Sequence, residues 1–280
     1  MKLARYGEVG AEKPALVDAD GNLRDLSAHI NDISPDTMAE IEGLKTIDPT
    51  SLPVVEPGTR IGACVGNPGK FMCIGLNYSD HAEESNLPVP DHPILFMKAT
   101  SAIIGPYDTV RLPRGSTRGD WEIELGVIIG KAAKYVSEEE ALDYVAGYCV
   151  CNDVSERDFQ TKFSGQWTKG KSCDTFGPTG PWLVTKDEVP DVQKLALSLD
   201  VNGDRMQTGN TDTMIFTVAH IVSHLSQLFT LQPGDIIATG TPPGVGMGIK
   251  PEPKYLKAGD VMELEIDGLG KQRLQVEQDS

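Results

Sequence analysis

An α+β fold that is mostly β is predicted by three features of the chain. Short runs rich in β-branched and apolar residues recur between Gly, Pro and Asp, the punctuation of strands and turns. Only two segments carry a helical pattern of any length. Strands and helices do not alternate regularly, which argues against a doubly wound parallel sheet and for a rolled or sandwiched mixed sheet.

The chain opens on a predicted β-hairpin, residues 15–18 and 23–26 about the turn Asp20-Gly21-Asn22. A short helix follows near 37–43. Pro and Thr then accumulate over 48–53 and at Glu56-Pro57-Gly58, which reads as a linker. This divides the chain into a small N-terminal α/β module, 1–65, and a main domain, 66–280. In the main domain, strands are predicted over 71–75, 93–97, 121–129, 148–152, 182–184, 195–201, 235–239 and 261–266. Ser137 and Glu140 form a capping-box signature that opens a helix to Ala146, with Gly147 as its stop. Residues 216–229 form an amphipathic helix with Ile221, Leu225, Leu228 and Phe229 on one face.

With 280 residues, 39% hydrophobic and 24% charged, the composition is that of an ordinary soluble globular protein. A net charge of −16 argues against a nucleic-acid partner, which requires a basic footprint, and against anionic membranes. A small anionic substrate is admissible where local positive charge overcomes the global field. The N-terminal Met1-Lys2-Leu3-Ala4-Arg5-Tyr6-Gly7 has no apolar signal core, and no segment reaches membrane-spanning length. Five cysteines, an odd number without an export signal, read as reduced thiols of the cytoplasm. Cys149-Val150-Cys151 is one residue short of a Cys-x-x-Cys pair, so these are read as core thiols.

The most informative stretch is Asp120-Trp121-Glu122-Ile123-Glu124-Leu125-Gly126. On a strand, residues i and i+2 share a face, which sets Glu122 and Glu124 side by side roughly 6–7 Å apart. Two neighbouring carboxylates in an apolar setting repel, and each is desolvated, unless a proton or a cation neutralises them. Asp153 stands where the 148–152 strand ends. If that strand lies near the Glu122 strand, Asp153 completes a three-carboxylate site, and all-oxygen ligation selects Mg²⁺, Mn²⁺ or Ca²⁺ over zinc. The alternative is an edge strand with both glutamates in water and Asp153 as a cap.

His81 and Glu84 are three apart, on one face if they lie on a helical turn. A carboxylate that orients a histidine makes a general base for water; the pair is equally read as a casual surface contact. The following loop, 87–93, suggests a lid. Lys98 ends an apolar strand, Arg157 and Gln160 lie one and two helical turns beyond Asp153, and Lys169 and Lys171 sit in a Gly-rich stretch. Such cations are either plain salt-bridge partners or contacts to a substrate carboxylate or oxyanion. Thr241, in Thr239-Gly240-Thr241-Pro242-Pro243-Gly244-Val245-Gly246, lies in a stiff loop that matches no nucleotide-binding fingerprint. His220 and His224 have the spacing of a helical zinc pair, but Ile221 replaces the required glutamate, and a partly buried helix face is preferred. His29 and His92 have no constellation around them.

Five linked motifs now carry a resemblance. Gly75-Leu-Asn-Tyr-x-x-His81-x-x-Glu84, Trp121-Glu-x-Glu124-Leu-Gly126, Asn152-Asp153-x-x-x-Arg157-Asp158-x-Gln160, Trp167-x-x-x-Lys171-Ser and Gly240-Thr-Pro-x-Gly-Val-Gly246 together resemble the fumarylacetoacetate hydrolase family, in order, over about residues 70–270. The resemblance implies a β-sandwich-like roll, a homodimer and one Mg²⁺ or Mn²⁺ per subunit. It implies that Glu122, Glu124 and Asp153 hold the metal and that His81 and Glu84 activate water. It also implies oxyanion and substrate contacts from Lys98, Gln160 and Lys171, with Arg157 and Thr241 as further substrate positions. The expected activity is C–C hydrolysis of a 2,4-diketo acid, an anionic α-keto acid substrate. Lyase, isomerase and decarboxylase activities of the same family, or a silent metal-binding regulator, are the alternatives.

Overall fold

The computed structural model describes residues 1–85 and 88–280. Its larger sheet has nine strands, in the spatial order Leu23–Asp25, Lys13–Val17, Lys2–Tyr6, Leu183–Thr185, Val145–Asn152, Ile123–Ile129, Ile236–Ala238, Phe71–Gly75 and Ile94–Lys98. Neighbours are antiparallel except Ile236–Ala238 and Phe71–Gly75, which run parallel. A second sheet of five strands orders Asp204–Asn210, Ala196–Val201, Val261–Ile266, Gly270–Gln278 and Val110–Leu112. The expected mixed β-sandwich roll is the observed architecture.

The strand Ile123–Ile129 is buried throughout and shows how the layers arise from sequence. Ile123, Leu125, Val127 and Ile129 alternate onto the face shared with Leu197, Leu199 and Leu264 of the second sheet. Ile128 points the other way, into a second cluster with Leu3, Leu16, Cys149, Cys151 and Leu183. Each such side chain contributes about 2 kcal/mol by burial. A strand packed on both faces is a rigid platform, and Glu122 and Glu124 are set at its start.

The first strand, Lys2–Tyr6, pairs with Leu183–Thr185 in the register Lys2↔Val184, so the N-terminal segment extends the large sheet. The short helix expected near 37–43 is a 3₁₀ turn, Met38–Glu40, followed by one α turn, Ile41–Leu44. The amphipathic helix spans Val218–Leu228, capped by Thr217, whose hydroxyl accepts from the His220 amide. Its buried face carries Val218, Ile221, Val222 and Leu225; Leu228, expected there, is 54% exposed.

The helix predicted from Ser137 does not form. The capping contacts do, with Ser137 Oγ 3.0 Å from Glu140 Oε2, but only a 3₁₀ turn, Ala141–Tyr144, follows. Strand pairing wins because Val145 and Tyr148 are buried in the core and pair with Ile129 and Val127. Gly147 is not a helix stop. A Cβ there would lie 2.1 Å from the Val184 carbonyl oxygen, so the glycine permits two strands to approach. Strands Val110–Leu112, Asp204–Asn210 and Gly270–Gln278 were not anticipated.

Candidate active site

Strand register brings the three acids together. Cys151 pairs with Glu124 across the ladder, and the Asp153 amide donates to the Glu122 carbonyl at 2.9 Å. Asp153 therefore lies opposite Glu122, on the face that carries both glutamates. Each of Glu122, Glu124 and Asp153 offers one oxygen within 4.8 Å of the others, and all three are buried. The edge-strand alternative is ruled out by this geometry.

Three buried cations surround the acids. Lys171 Nζ donates to Glu122 Oε2 at 2.8 Å and to Asp153 Oδ2 at 2.6 Å. Lys98 Nζ donates to Asp153 Oδ1, and to the Val154 carbonyl at 3.0 Å. Arg157 donates from Nε to Asp120 at 2.8 Å, from Nη2 to Glu122 at 2.7 Å and from Nη1 to Gln160 Oε1 at 2.9 Å. Four carboxylates, counting Asp120, thus face three cations. The unmatched one is Glu124, whose bonded partner among the described residues is the Gly240 amide at 2.8 Å. Gly240 has φ +100°, a conformation a side chain resists, and it aims that amide at the carboxylate.

The helix Ser79–Ser85 follows the strand Phe71–Gly75 and carries the second group. His81 Nδ1 lies 3.1 Å from Glu84 Oε2. Glu84 is also held by the Gly244 amide, at 3.1 and 3.2 Å from its two oxygens. A Cβ on Gly244 would lie 1.9 Å from the Met206 carbonyl oxygen, so the loop requires glycine there. Both His81 and Glu84 line a cavity of about 390 Å³ that Glu122, Glu124, Gln160 and Lys171 also line, a size suited to a small metabolite. The lid segment predicted over 87–93 includes Leu87, which lies outside the described residues; Val89 within it is 58% exposed.

Residues 70–277 match the family described as fumarylacetoacetate hydrolase, C-terminal. The chain belongs to the fumarylacetoacetate hydrolase family. A Burkholderia lata protein named as a candidate hydrolase is 60% identical over 274 residues, covering 97% of each chain. The fumarylacetoacetate hydrolase of psychrophilic Exiguobacterium antarcticum superposes with TM-score 0.88 at 35% identity, over 100% of both chains. The maleylpyruvate hydrolase of Sphingobium sp. SYK-6, solved with manganese(II) and pyruvate, gives 0.83 at 30% identity, again over 100% of both. The 2-hydroxyhepta-2,4-diene-1,7-dioate isomerase of Mycobacterium marinum gives 0.75 at 32%, over 100% of this chain and 99% of that one. Hydrolases and isomerases thus share this family fold.

Within this fumarylacetoacetate hydrolase fold, the predicted residues divide by placement. Glu122, Glu124, His81, Glu84, Gln160, Lys171, Arg157 and Thr241 all line the one cavity. Asp153 and Lys98 do not; Lys98 stands against Asp153 as a charge partner. The Thr241 hydroxyl donates to the Ile123 carbonyl at 2.8 Å and accepts from Gln207 Nε2 at 2.8 Å, which commits its proton to the scaffold. Lys169 points away, donating to the Phe163 carbonyl. His92, expected to stand alone, stacks on His224 with ring centroids 6.0 Å apart.

Asp120 was quoted in the sequence motif without a role. It is fully buried and accepts four bonds, from Arg157 Nε, from the Trp121 amide at 2.8 Å, and from the Gly246 and Met247 amides at 2.7 and 3.0 Å. It thereby joins the Glu122 strand to the loop that holds Glu84. Asp120→Asn removes one of the two charge partners of a buried guanidinium and should lower stability by about 1–3 kcal/mol. Chemical denaturation measures this; an unchanged midpoint would deny Asp120 that part.

The donor set fits a hard divalent cation, because it is all carboxylate oxygen and Glu124 has no cationic hydrogen-bond partner among the described residues. Burial opposes ionisation of Glu122, but Lys171 and Arg157 outweigh it and hold the carboxyl at about 2. Glu124 behaves oppositely: burial, then Asp153 and Glu122, push its carboxyl well above the ordinary 4.5. Without a cation Glu124 binds a proton more tightly folded than unfolded. That contribution to stability is present below 4.5 and is lost as pH rises through the raised folded value. A divalent ion must displace this proton, so its affinity should rise with pH, by up to about tenfold per unit while one proton is released. Calorimetry in buffers of different ionisation enthalpy counts the proton; none released would contradict the assignment.

Proposed function

We propose that this protein is a metal-dependent hydrolase that cleaves a carbon–carbon bond of a 2,4-dioxo acid to yield a pyruvate-type product. The observation that carries the reading is a cavity lined by the His81–Glu84 dyad, Glu122 and Glu124, with Asp153 buried beside those glutamates to complete a carboxylate triad. Glu122, Glu124 and Asp153 would hold Mg²⁺ or Mn²⁺, which when bound supplies positive charge that makes an enolate a tolerable leaving group.

The chain's own residues then account for the rest. Lys171 and Gln160 reach the cavity from one side of the triad and serve to orient the 2-oxo acid end of the substrate. Glu84, fixed by the Gly244 amide, orients His81, and His81 takes a proton from water as the oxygen adds to the C4 carbonyl. Collapse of that adduct breaks C3–C4, leaves the electron pair on the pyruvate fragment and returns a proton to C3. Phe96 and Trp167, edge to face at 5.3 Å, wall the cavity and keep water from the reacting carbons.

An activated water is required for hydrolysis and not for isomerisation, and a partly buried His–Glu pair at the cavity supports hydrolysis. Turnover in ¹⁸O-labelled water tests this. Label in the carboxylic acid released from C4 is expected; an isomerised or decarboxylated product without label would overturn the reading.

A further inference from the structure

The helix Val218–Leu228 carries a set of nitrogen donors outside the cavity. His220 and His224 stand one turn apart on it, both half-buried, with rings stacked at 6.2 Å between centroids and 11° between planes. His92, exposed and two residues before the strand Ile94–Lys98, also stacks on His224, at 6.0 Å and 16°. Phe216 packs on His220 at 5.2 Å. Three imidazoles thus meet from two segments far apart in the chain, and none has a part in the proposed hydrolysis.

Glu138 sets which nitrogen of His220 is free. Its Oε2 lies 3.1 Å from His220 Nδ1. An ionised carboxylate only accepts, so Nδ1 donates and Nε2 keeps its lone pair. A carboxylate behind a histidine in this way orients imidazole ligands toward an ion and raises their basicity. Burial, then His220 and His92, hold His224 below the ordinary 6.5, so it too offers a lone pair at neutral pH. The stacked rings are farther apart than two nitrogens on one tetrahedral ion, about 3.4 Å from bonds of about 2.0–2.1 Å. Rotation about χ1 and χ2 of half-buried and exposed side chains closes that gap.

We propose that His92, His220 and His224 form a second metal site, for an imidazole-preferring transition-metal ion of which Zn²⁺ is the type, with water completing its shell. All-nitrogen ligation separates this site from the carboxylate triad, whose oxygens suit hard cations. Ile221 is buried and stands where a zinc peptidase carries its glutamate, so the ion has no general base beside it and the site binds without hydrolysing. Once bound, the ion ties the segment that enters the strand Ile94–Lys98 to the helix Val218–Leu228.

The test is calorimetric titration of Zn²⁺ into the full chain already saturated with Mn²⁺. One Zn²⁺ per chain should bind in a way that depends on the histidines. His224→Ala and His92→Ala should each weaken it by about tenfold or more, and Glu138→Gln, which frees the His220 ring to turn, by about tenfold. Any Zn²⁺ that displaces Mn²⁺ from the triad does so in wild type and variants alike and cancels in the comparison. His224→Gln, closer in size, repeats the measurement should His224→Ala fail to fold. Zn²⁺ affinity that the substitutions at His224 or His92 leave unchanged would overturn the inference.

Discussion

Glu124→Gln should abolish divalent-metal binding and lower turnover by about a thousandfold, equivalent to roughly 4 kcal/mol of transition-state stabilisation. Its effect on the fold should be the reverse of a disruptive mutation. Among the described residues, Glu124 is the one acid of the cluster without a cationic hydrogen-bond partner, and burial with Asp153 and Glu122 drives it toward the protonated form. A neutral amide of the same shape removes that conflict. The metal-free variant should melt at or above the wild-type temperature, and Mn²⁺, expected to raise the wild-type melting point, should leave that of the variant unchanged. Thermal melts with and without Mn²⁺ separate the two effects. A metal-free variant that melts far lower would mean the carboxylate is a structural acceptor, and a retained Mn²⁺ shift would remove Glu124 from the ligand set.

His81→Ala should lower kcat by about 10²–10⁴-fold, the range for loss of a general base, with metal affinity kept. Among the described residues the histidine's side-chain bond is to Glu84 and not to the triad, so the proposed ion and the proposed activated water would be served by separate elements: the Ile123–Ile129 strand and the Ser79–Ser85 helix. Steady-state kinetics combined with a Mn²⁺ titration of the variant would show this division. Loss of both together would mean that the helix and the triad form one unit; unchanged kcat would end the general-base role.

The two groupings of side chains were legible in the sequence because they rest on short periods. Glu122 and Glu124 share a face by the two-residue period of a strand, and His81 and Glu84 by the three-residue spacing of one helical turn. Asp153 was placed by chain position after a strand, and the register Cys151↔Glu124 supplied what sequence alone does not contain. Local signals failed where tertiary pairing opposed them. The capping box at Ser137 formed its hydrogen bond and still gave way to strand pairing of Val145 with Ile129. The strand Gly270–Gln278 was missed because one of its inward positions is polar: Gln272 is buried and donates to the Val150 and Gly180 carbonyls, which hides the alternation with Leu274 and Val276. Asp120 was hidden for a different reason. A carboxylate that serves as a hub for backbone amides from residues 121, 246 and 247 has no spacing signature, only a location.

Lys98 is a charge partner within the acid cluster. Its ammonium lies against Asp153 and the Val154 carbonyl, outside the cavity, where it lowers the cost of burying an acid. Arg157, likewise, is engaged at three nitrogens and positions both Glu122 and Gln160. These cations make a dense set of acids tolerable in the core, and they stop one charge short.

A divalent ion would supply that missing charge. Metal-stripped protein should not turn over a 2,4-dioxo acid, and activity should return in proportion to added Mn²⁺ until one ion is bound per chain. Full turnover from protein in which elemental analysis finds no metal would contradict it.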